Sequence, residues 1–258
     1  MKLIDSHCHL TDEAFDSDRL FIINDLSNFA IKGIINPATN LEDSKKAIAL
    51  GEKFDNFYPM VGIHPEDVDN IENKDLEELE SLAKNDKVIA IGEIGLDYYW
   101  KDDNKDKQKE IFTKQLDLAR KLKLPAVIHV REAKEDVIEI LKDYRGLKIQ
   151  IHCFSDDLKT LQTYIDMGFY ISIGGVVSFD NGENEKNAAR NVPINRLMLE
   201  TDSPYLTPEP YRGLRNDPRR IVEVARQVAE LRDMKIDKLA KKTYNNTKEF
   251  FNIWLRKL

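Results

Sequence analysis

The sequence predicts an α/β fold, namely a single-domain (β/α)8 TIM barrel over residues 1–258 with a C-terminal closing helix. Short runs rich in Val and Ile recur eight times with amphipathic stretches between them, as expected for parallel strands that alternate with helices. Most of these runs are continuously apolar, which is typical of strands buried on both faces. No Gly-x-Gly-x-x-Gly or Gly-x-x-x-x-Gly-Lys loop follows any run, which disfavours a doubly wound open sheet.

The predicted strands extend from the first residues of the chain to its last third. In order they are Leu3–Asp5, Gly33–Asn36, Tyr58–Ile63, Val88–Gly92, Ala126–His129, Lys148–His152, Tyr170–Ile173 and Leu197–Leu199. In a parallel barrel the carboxyl ends of all strands lie on one rim, and barrel enzymes carry their reactive groups there. Residues that directly follow these runs are therefore the first candidates for a functional site.

Amphipathic stretches between the strands predict the helices. Ile221, Ala225 and Val228 recur at helical spacing, which indicates a helix with one buried face. Asp217-Pro218 precedes them and combines a favoured capping residue with proline in the first turn. The last stretch is predicted to form the closing helix, with apolar positions at Leu239, Phe250, Phe251, Trp254 and Leu258.

Composition limits the class of protein. The chain has 39 basic and 46 acidic side chains and a net charge of −7, which excludes a uniformly basic nucleic-acid binder but not a local phosphate site. No apolar run approaches the roughly 18 residues of a spanning helix, and no signal-peptide pattern opens the sequence. Two cysteines are too few for a disulfide framework. We expect a cytoplasmic protein without a membrane partner, for which a monomer suffices.

All five histidines fall at or just beyond the carboxyl end of a predicted strand. One histidine at such a position is more often structural, but five on one rim indicate shared chemistry. His7 and His9 are two positions apart, so on an extended strand both rings face the same side. The other three, His64, His129 and His152, follow the third, fifth and sixth strands.

Two carboxylates join the histidines on this rim. Glu93 follows the run Val88–Gly92, where a buried charge is costly unless it is paired or bound to a metal. Asp202 ends the eighth strand, which closes beside the first in a barrel. The predicted metal ligands are His7, His9, Glu93, His129, His152 and Asp202. Six ligands exceed the four of one tetrahedral ion, so we predict two divalent cations (Mg²⁺, Mn²⁺ or Zn²⁺) with Glu93 as the bridge.

Three further features are each open to more than one interpretation. His64 either contacts substrate phosphate or supports a ligand, and it could instead be structural. Glu200 lies two residues before Asp202 and either orients a ligand or pairs with a basic side chain. The aromatic run Tyr98-Tyr99-Trp100 offers ring faces on which a nucleic-acid base could stack, and core packing is the alternative for Tyr98 and Tyr99.

Seven segments together carry a resemblance to a known family. They are Asp5-Ser6-His7-Cys8-His9-Leu10, Val61-Gly62-Ile63-His64-Pro65, Ile91-Gly92-Glu93-Ile94-Gly95-Leu96-Asp97-Tyr98-Tyr99, Pro125-Ala126-Val127-Ile128-His129-Val130-Arg131, Ile151-His152-Cys153-Phe154-Ser155, Glu200-Thr201-Asp202-Ser203-Pro204-Tyr205-Leu206 and Pro210-Tyr211-Arg212-Gly213. In this order they resemble the TatD-type metal-dependent deoxyribonucleases of the amidohydrolase-like barrels. The resemblance implies a (β/α)8 barrel whose divalent metal centre, on the same six residues, hydrolyses phosphodiesters. Two departures, Asp156 in place of a frequent Gly and Asp217 in place of Glu, touch no ligand.

The predicted function is metal-dependent hydrolysis of a phosphodiester. His7, His9 and Asp202 are assigned to one cation, and His129 and His152 to the other. Glu93 and Asp202 are the predicted catalytic residues, with Asp202 accepting the proton of the attacking water.

DNA is the predicted substrate, bound as a single strand or an end and cleaved as by an exonuclease. His64, Arg212 and Arg215 are the predicted substrate contacts, because arginines and the helix start near Pro218 suit phosphate. The alternative substrate is an ester or amide, such as an aminoacyl-tRNA linkage or another small molecule. A third interpretation is a binding protein whose metals only organise a docking face.

Overall fold

The computed structural model describes residues 1–253, and within them eight parallel strands form one sheet in chain order. The strands are β1 (Leu3–Asp5), β2 (Ile31–Asn36), β3 (Phe57–Val61), β4 (Ala90–Asp97), β5 (Ala126–Arg131), β6 (Ile149–Ile151), β7 (Tyr170–Ile173) and β8 (Leu197–Leu199). The backbone N–H of Ser6 donates to the Leu199 carbonyl at 3.0 Å, which joins the end of β8 to the end of β1. The predicted (β/α)8 barrel is confirmed.

Helices connect the strands around the outside of the barrel. They are α1 (Arg19–Asp25), α2 (Leu41–Lys53), α3 (Asn73–Ala83), α4 (Lys105–Leu122), α5 (Lys134–Leu141), α6 (Leu158–Asp166), α7 (Glu183–Asn191), α8 (Ile221–Leu231) and α9 (Ile236–Phe250). Asp217 accepts from the Arg219 backbone as the predicted cap, but the first turn, Pro218–Arg220, is a 3-10 turn ahead of α8. No helix in the described residues has the length and apolar character needed to cross a membrane.

The closing helix packs at the amino-terminal end of the barrel. Phe250 and Phe251 form one buried cluster with strand residues that include Ile4, Met60 and Met198. Lys148, just before β6, donates to the Phe250 carbonyl at 3.3 Å, so this end lies opposite the rim of histidines. The predicted helix is confirmed over Ile236–Phe250, whereas its apolar positions Trp254 and Leu258 lie outside the described residues.

Strand β4 differs most from its prediction, since it continues through Glu93 to Asp97 instead of ending at Gly92. The Gln108 side chain accepts from the Asp97 N–H at 2.9 Å and donates to the Asp97 carbonyl at 2.9 Å, which fixes the extension. Gly95 has a φ of +154°, and a Cβ there would lie 2.0 Å from the His129 carbonyl oxygen. Glycine at this position therefore allows β4 and β5 to lie close together.

Candidate metal centre

The carboxyl ends of β1, β4, β5, β6 and β8 bring the six predicted ligands to one place on the rim. These residues are His7, His9, Glu93, His129, His152 and Asp202, and the atoms that could bind a metal lie within 4.8 Å of one another in overlapping groups. His7 and Glu93 are nearly or wholly buried. We name His7, His9 and Asp202 the first donor group, and His129 and His152 the second donor group.

The first donor group surrounds one oxygen of Glu93. The Nε2 atoms of His7 and His9 are 3.2 Å apart, and they lie 3.2 Å and 3.4 Å from Glu93 Oε2. Asp202 Oδ1 lies 3.5 Å from His9 Nε2. Four potential donor atoms therefore converge from three separate strand ends.

The second donor group surrounds the other oxygen of Glu93. His152 Nε2 lies 2.6 Å from Glu93 Oε1 and His129 Nδ1 lies 2.9 Å from it, while the two nitrogens are 3.3 Å apart. One buried carboxylate thus faces two separate sets of imidazoles with its two oxygens. This is the arrangement expected of a bridging ligand between two ions.

The donor atoms fit divalent cations in spacing. A metal–nitrogen bond of about 2.0–2.1 Å places two tetrahedral ligands about 3.3–3.4 Å apart. The nitrogen pairs of the first and second donor groups, at 3.2 Å and 3.3 Å, match that separation. Histidine and carboxylate donors without a thiolate are typical of such metals as Zn²⁺ and Mn²⁺.

The charge of the centre also fits cations. Four buried or largely buried carboxylates face the histidines, and within residues 1–253 no Lys or Arg forms an ion pair with any of them; they are Glu93, Asp97, Glu200 and Asp202. Within these residues only imidazoles, which carry charge only when protonated, pair with the carboxylates, and buried charges of one sign cost several kcal/mol unless they are compensated. Two divalent cations would neutralise these carboxylates.

The surroundings of Glu93 lower its pKa, which favours the ionised form that binds a metal. Burial alone would raise it, but the charges of His152 and His7 and the hydrogen bonds from His129 and His152 hold the pKa of Glu93 well below its ordinary value. For Asp202, burial alone would likewise raise the pKa. The hydrogen bond from His9 and the charge of His7 outweigh burial, so the pKa of Asp202 lies below its ordinary value. Both carboxylates are therefore ionised at neutral pH.

Asp97 belongs to the site although the sequence reasoning assigned it no role. Its Oδ2 lies 2.9 Å from His129 Nε2, so the imidazole is held between Asp97 on one nitrogen and Glu93 on the other. Asp97 follows Glu93 by four residues on β4, and this even spacing along a strand is the signal that could have identified it. A carboxylate on the far nitrogen of a ligating histidine fixes the ring and its tautomer.

Glu200 lies behind the second donor group. It is fully buried, and its Oε1 accepts from the Cys153 backbone N–H at 2.6 Å and lies 3.7 Å from His152 Nδ1. Its Oε2 accepts from the Ser172 hydroxyl at 2.5 Å. Of the two interpretations of Glu200, these contacts favour support of the His152 segment over a pair with a basic side chain.

His64 lies at the edge of the centre with a defined orientation. Its Nδ1 accepts from the Glu66 backbone N–H at 3.3 Å, which leaves Nε2 as the protonated nitrogen. That Nε2 lies 3.7 Å from Glu93 Oε1. Burial lowers the pKa of His64 to about 3, so the ring is a neutral donor that faces the centre.

The backbone near the first donor group is held by Asp5. Its Oδ1 accepts from the Thr201 and His7 backbone N–H groups at 2.9 Å and 3.2 Å, and it is fully buried. The Asp202 N–H donates to the His7 carbonyl at 2.9 Å. The ends of β1 and β8, which carry this donor group, are therefore tied together directly.

The two predicted arginine contacts are placed differently from each other. Arg215 makes two hydrogen bonds to Asp18, at 2.9 Å and 2.6 Å, so the structure does not present it to phosphate as predicted. Asp18 neutralises its charge and fixes its position. Arg212 is exposed and lies 3.8 Å over the Phe179 ring, and within the described residues it has no ion pair.

Comparison with known proteins gives consistent results. Residues 4–252 match the family model described as TatD related DNase. The uncharacterised metal-dependent hydrolase YabD of Bacillus subtilis is 38% identical over 253 residues, covering 97% of this chain and 99% of that protein. YcfH of Escherichia coli K12, described in the same words, is 36% identical over 258 residues, covering 98% and 97%. The crystal structure of the TatD homologue YjjV from Escherichia coli K12 superposes with a TM-score of 0.92 at 29% identity, covering 97% and 98%.

Proposed function

This chain belongs to the TatD-related DNase family and is a metal-dependent hydrolase, and we propose that it hydrolyses phosphodiester bonds at the ends of DNA. The observation that carries the proposal is the position of Glu93, whose two oxygens each face a separate set of imidazoles. Such a centre suits in-line displacement at phosphorus. The family to which the chain belongs supports DNA as the substrate.

The first donor group would hold one divalent cation and the second donor group another, and Glu93 would contribute an oxygen to each. When bound, such a pair of ions supplies Lewis acidity, which lowers the pKa of water and neutralises charge on phosphate oxygens. Mg²⁺, Mn²⁺ and Zn²⁺ are all compatible with mixed imidazole and carboxylate donors. The protein itself supplies position, orientation and proton transfer.

Asp202 is the carboxylate suited to take the proton of the attacking water. Its side chain is 13% exposed, against 4% for Glu93, so water and substrate reach it. It is ionised at neutral pH for the reasons given above and is therefore able to act as a base. Glu93, enclosed by imidazoles, fixes the position of the two donor groups relative to each other.

His64 and Arg212 are the proposed contacts for substrate oxygens. His64 presents a neutral Nε2–H towards the centre, which donates to a phosphate oxygen without adding charge. The Arg212 guanidinium, beyond β8 and without an ion pair among residues 1–253, attracts the DNA backbone. Because the chain as a whole carries a charge of −7, attraction limited to this rim favours short single strands and ends over long duplexes.

Both cysteines are free, in keeping with a proposed location in the cytoplasm.

The proposal is tested with protein stripped by a chelator and resupplied with Mg²⁺, Mn²⁺ or Zn²⁺. The substrates are end-labelled single-stranded and double-stranded DNA, RNA and an aminoacyl-tRNA. We expect stepwise shortening of DNA from an end. Release of the amino acid from aminoacyl-tRNA without cleavage of DNA would show that the substrate is the ester and not the phosphodiester. If no nucleic acid is cleaved with any of the metals, the proposed nuclease activity is wrong.

A further inference from the structure

Two aromatic side chains stand exposed immediately beyond β4. Tyr99 and Trp100 are 50% and 60% exposed, and their rings meet edge to face with centroids 4.8 Å apart. Tyr98 behaves differently, since it packs against the core and donates its hydroxyl to Asp136 at 2.6 Å. Core packing therefore accounts for Tyr98 but not for its two neighbours.

A guanidinium lies over these rings. The Arg131 guanidinium, at the end of β5, lies 3.8 Å from the centre of the Tyr99 ring and 5.3 Å from that of Trp100. In the part of the chain that the structure describes, Arg131 forms no ion pair. An exposed aromatic surface beside a free guanidinium is the combination that binds single-stranded nucleic acid.

A second exposed aromatic patch shows what distinguishes the first. Phe21 on α1 is 63% exposed and has Arg219 5.8 Å from its ring centre. Arg219, however, pairs with Asp25 at 2.9 Å and with Asp217 at 2.6 Å. Its charge is neutralised within the protein, so this patch offers no free cation to a phosphate.

Asp97 fixes the exposed rings relative to the metal centre. Its Oδ1 accepts from the backbone N–H groups of Tyr99 and Trp100 at 2.9 Å and 3.0 Å. Its other oxygen, Oδ2, lies 2.9 Å from His129 Nε2. One carboxylate thus contacts both the His129 ring and the backbone of Tyr99 and Trp100. These two residues therefore lie directly beside the second donor group.

We propose that Tyr99, Trp100 and Arg131 form a platform that stacks one unpaired base of the nucleotide next to the scissile phosphate. The aromatic rings contact the face of the base, and Arg131 contacts its backbone phosphate. A base inside a duplex has both faces covered, and a terminal base is held by its partner on the other strand, so the platform favours single-stranded or frayed ends. This inference rests on the proposed function and specifies the form of the substrate.

The test uses the intrinsic fluorescence of Trp100. The sequence has two tryptophans and nine tyrosines, so Trp254→Phe leaves Trp100 as the only tryptophan, and excitation at the red edge of the tryptophan band avoids the tyrosines. The metal-loaded protein is titrated with a cleavage-resistant phosphorothioate oligonucleotide, and anisotropy of a labelled copy reports binding independently. We expect the single strand to quench Trp100 emission and a blunt duplex of the same sequence to quench it less.

Substitutions separate stacking from simple burial. Trp100→Leu should raise the dissociation constant for the single strand about tenfold, within the range for one base on an aromatic ring, and Trp100→Phe should restore most of the affinity. Phe21→Leu is the matched control and should leave the affinity unchanged.

Three results would overturn the platform. One is binding seen by anisotropy with unchanged Trp100 emission and equal affinity in Trp100→Leu. Another is an equal loss of affinity in Trp100→Phe and Trp100→Leu. A third is a change of Trp100 emission when only the protein concentration is raised, together with a doubled molecular mass of the protein. That result would show that the rings contact a second copy of the chain. If DNA is still cleaved in any of these cases, the proposed function stands without the platform; absence of both binding and cleavage refutes both.

Discussion

The two donor groups are held in place by different means. In the second donor group, the imidazole of His129 is held by the Asp97 side chain at 2.9 Å, and Glu200 lies behind His152. In the first donor group, hydrogen bonds to the backbone hold the strand ends: the Asp202 N–H donates to the His7 carbonyl at 2.9 Å, the His9 N–H donates to the Ser203 carbonyl at 2.8 Å, and Asp5 accepts from the His7 and Thr201 N–H groups. Carboxylates thus contact the imidazoles of one group, whereas hydrogen bonds to the backbone hold the other.

This difference predicts how each group responds to substitution. Asp97→Asn keeps an oxygen that can accept from the Tyr99 and Trp100 backbone N–H groups, so this change should affect metal binding and leave stability nearly intact. The backbone bonds of the first donor group also join β8 to β1, and they are part of barrel closure. Disturbing them should therefore lower the free energy of unfolding and metal affinity together.

Glu93 connects both groups, so its replacement should have the largest effect. Glu93→Gln removes a charge shared by two proposed cations, and we expect kcat/KM to fall by about a thousandfold or more, since such ions contribute several kcal/mol to transition-state stabilisation. Activity on labelled DNA and bound metal by elemental analysis are measured together. A folded variant that keeps two metals and the full rate would show that Glu93 is not the bridge.

Asp5 tests the backbone-held group. Asp5→Ala leaves the buried N–H groups of Thr201 and His7 without their acceptor, and we expect a loss of about 3 kcal/mol in the free energy of unfolding. Urea denaturation with and without metal measures it. Asp86→Ala, in the exposed turn between α3 and β4 at the amino-terminal end of the barrel, serves as the control for loss of a carboxylate. Unchanged stability in Asp5→Ala would mean that the two strand ends do not depend on this carboxylate.

Asp97 tests the group held by side chains. Asp97→Asn should weaken one of two metal equivalents about 10–100-fold, as is usual when a partner of a ligating histidine is lost, with stability changed by far less than in Asp5→Ala. Metal titration by calorimetry resolves the two equivalents. Asp136→Asn is the matched control, because Asp136 contacts Tyr98 and none of the five histidines. Equal weakening of both metals would contradict separate support of the two groups.

The smallest effect is expected outside both groups. Arg212→Ala should raise KM for DNA by up to about fivefold without loss of metal, as for an exposed ion pair. Arg215→Ala should leave KM unchanged, because its guanidinium is bound by Asp18. Steady-state kinetics on both variants measure the two KM values. A larger increase of KM in Arg215→Ala would show that Arg215, despite its pairing with Asp18, contacts DNA.

The fold and the convergence of the proposed ligands could be predicted because both depend on local patterns and simple topology. Buried parallel strands are apolar runs, and residues that follow them must meet on one rim. The extension of β4 to Asp97 could not be predicted in this way, because Gln108 on α4 completes it with hydrogen bonds. Likewise, nothing near Arg215 reveals that Asp18, almost two hundred residues earlier, binds its guanidinium.

Gly95 has a consequence for barrel design. His129 fits between two carboxylates of one strand because the residue between them has no Cβ, which would otherwise lie 2.0 Å from the His129 carbonyl oxygen. A side chain at this position would push the neighbouring strand outward, and the imidazole would then reach only one acidic partner. The pattern Glu-x-Gly-x-Asp is therefore a compact criterion for selecting natural barrels, or building new ones, in which a histidine is held from both sides.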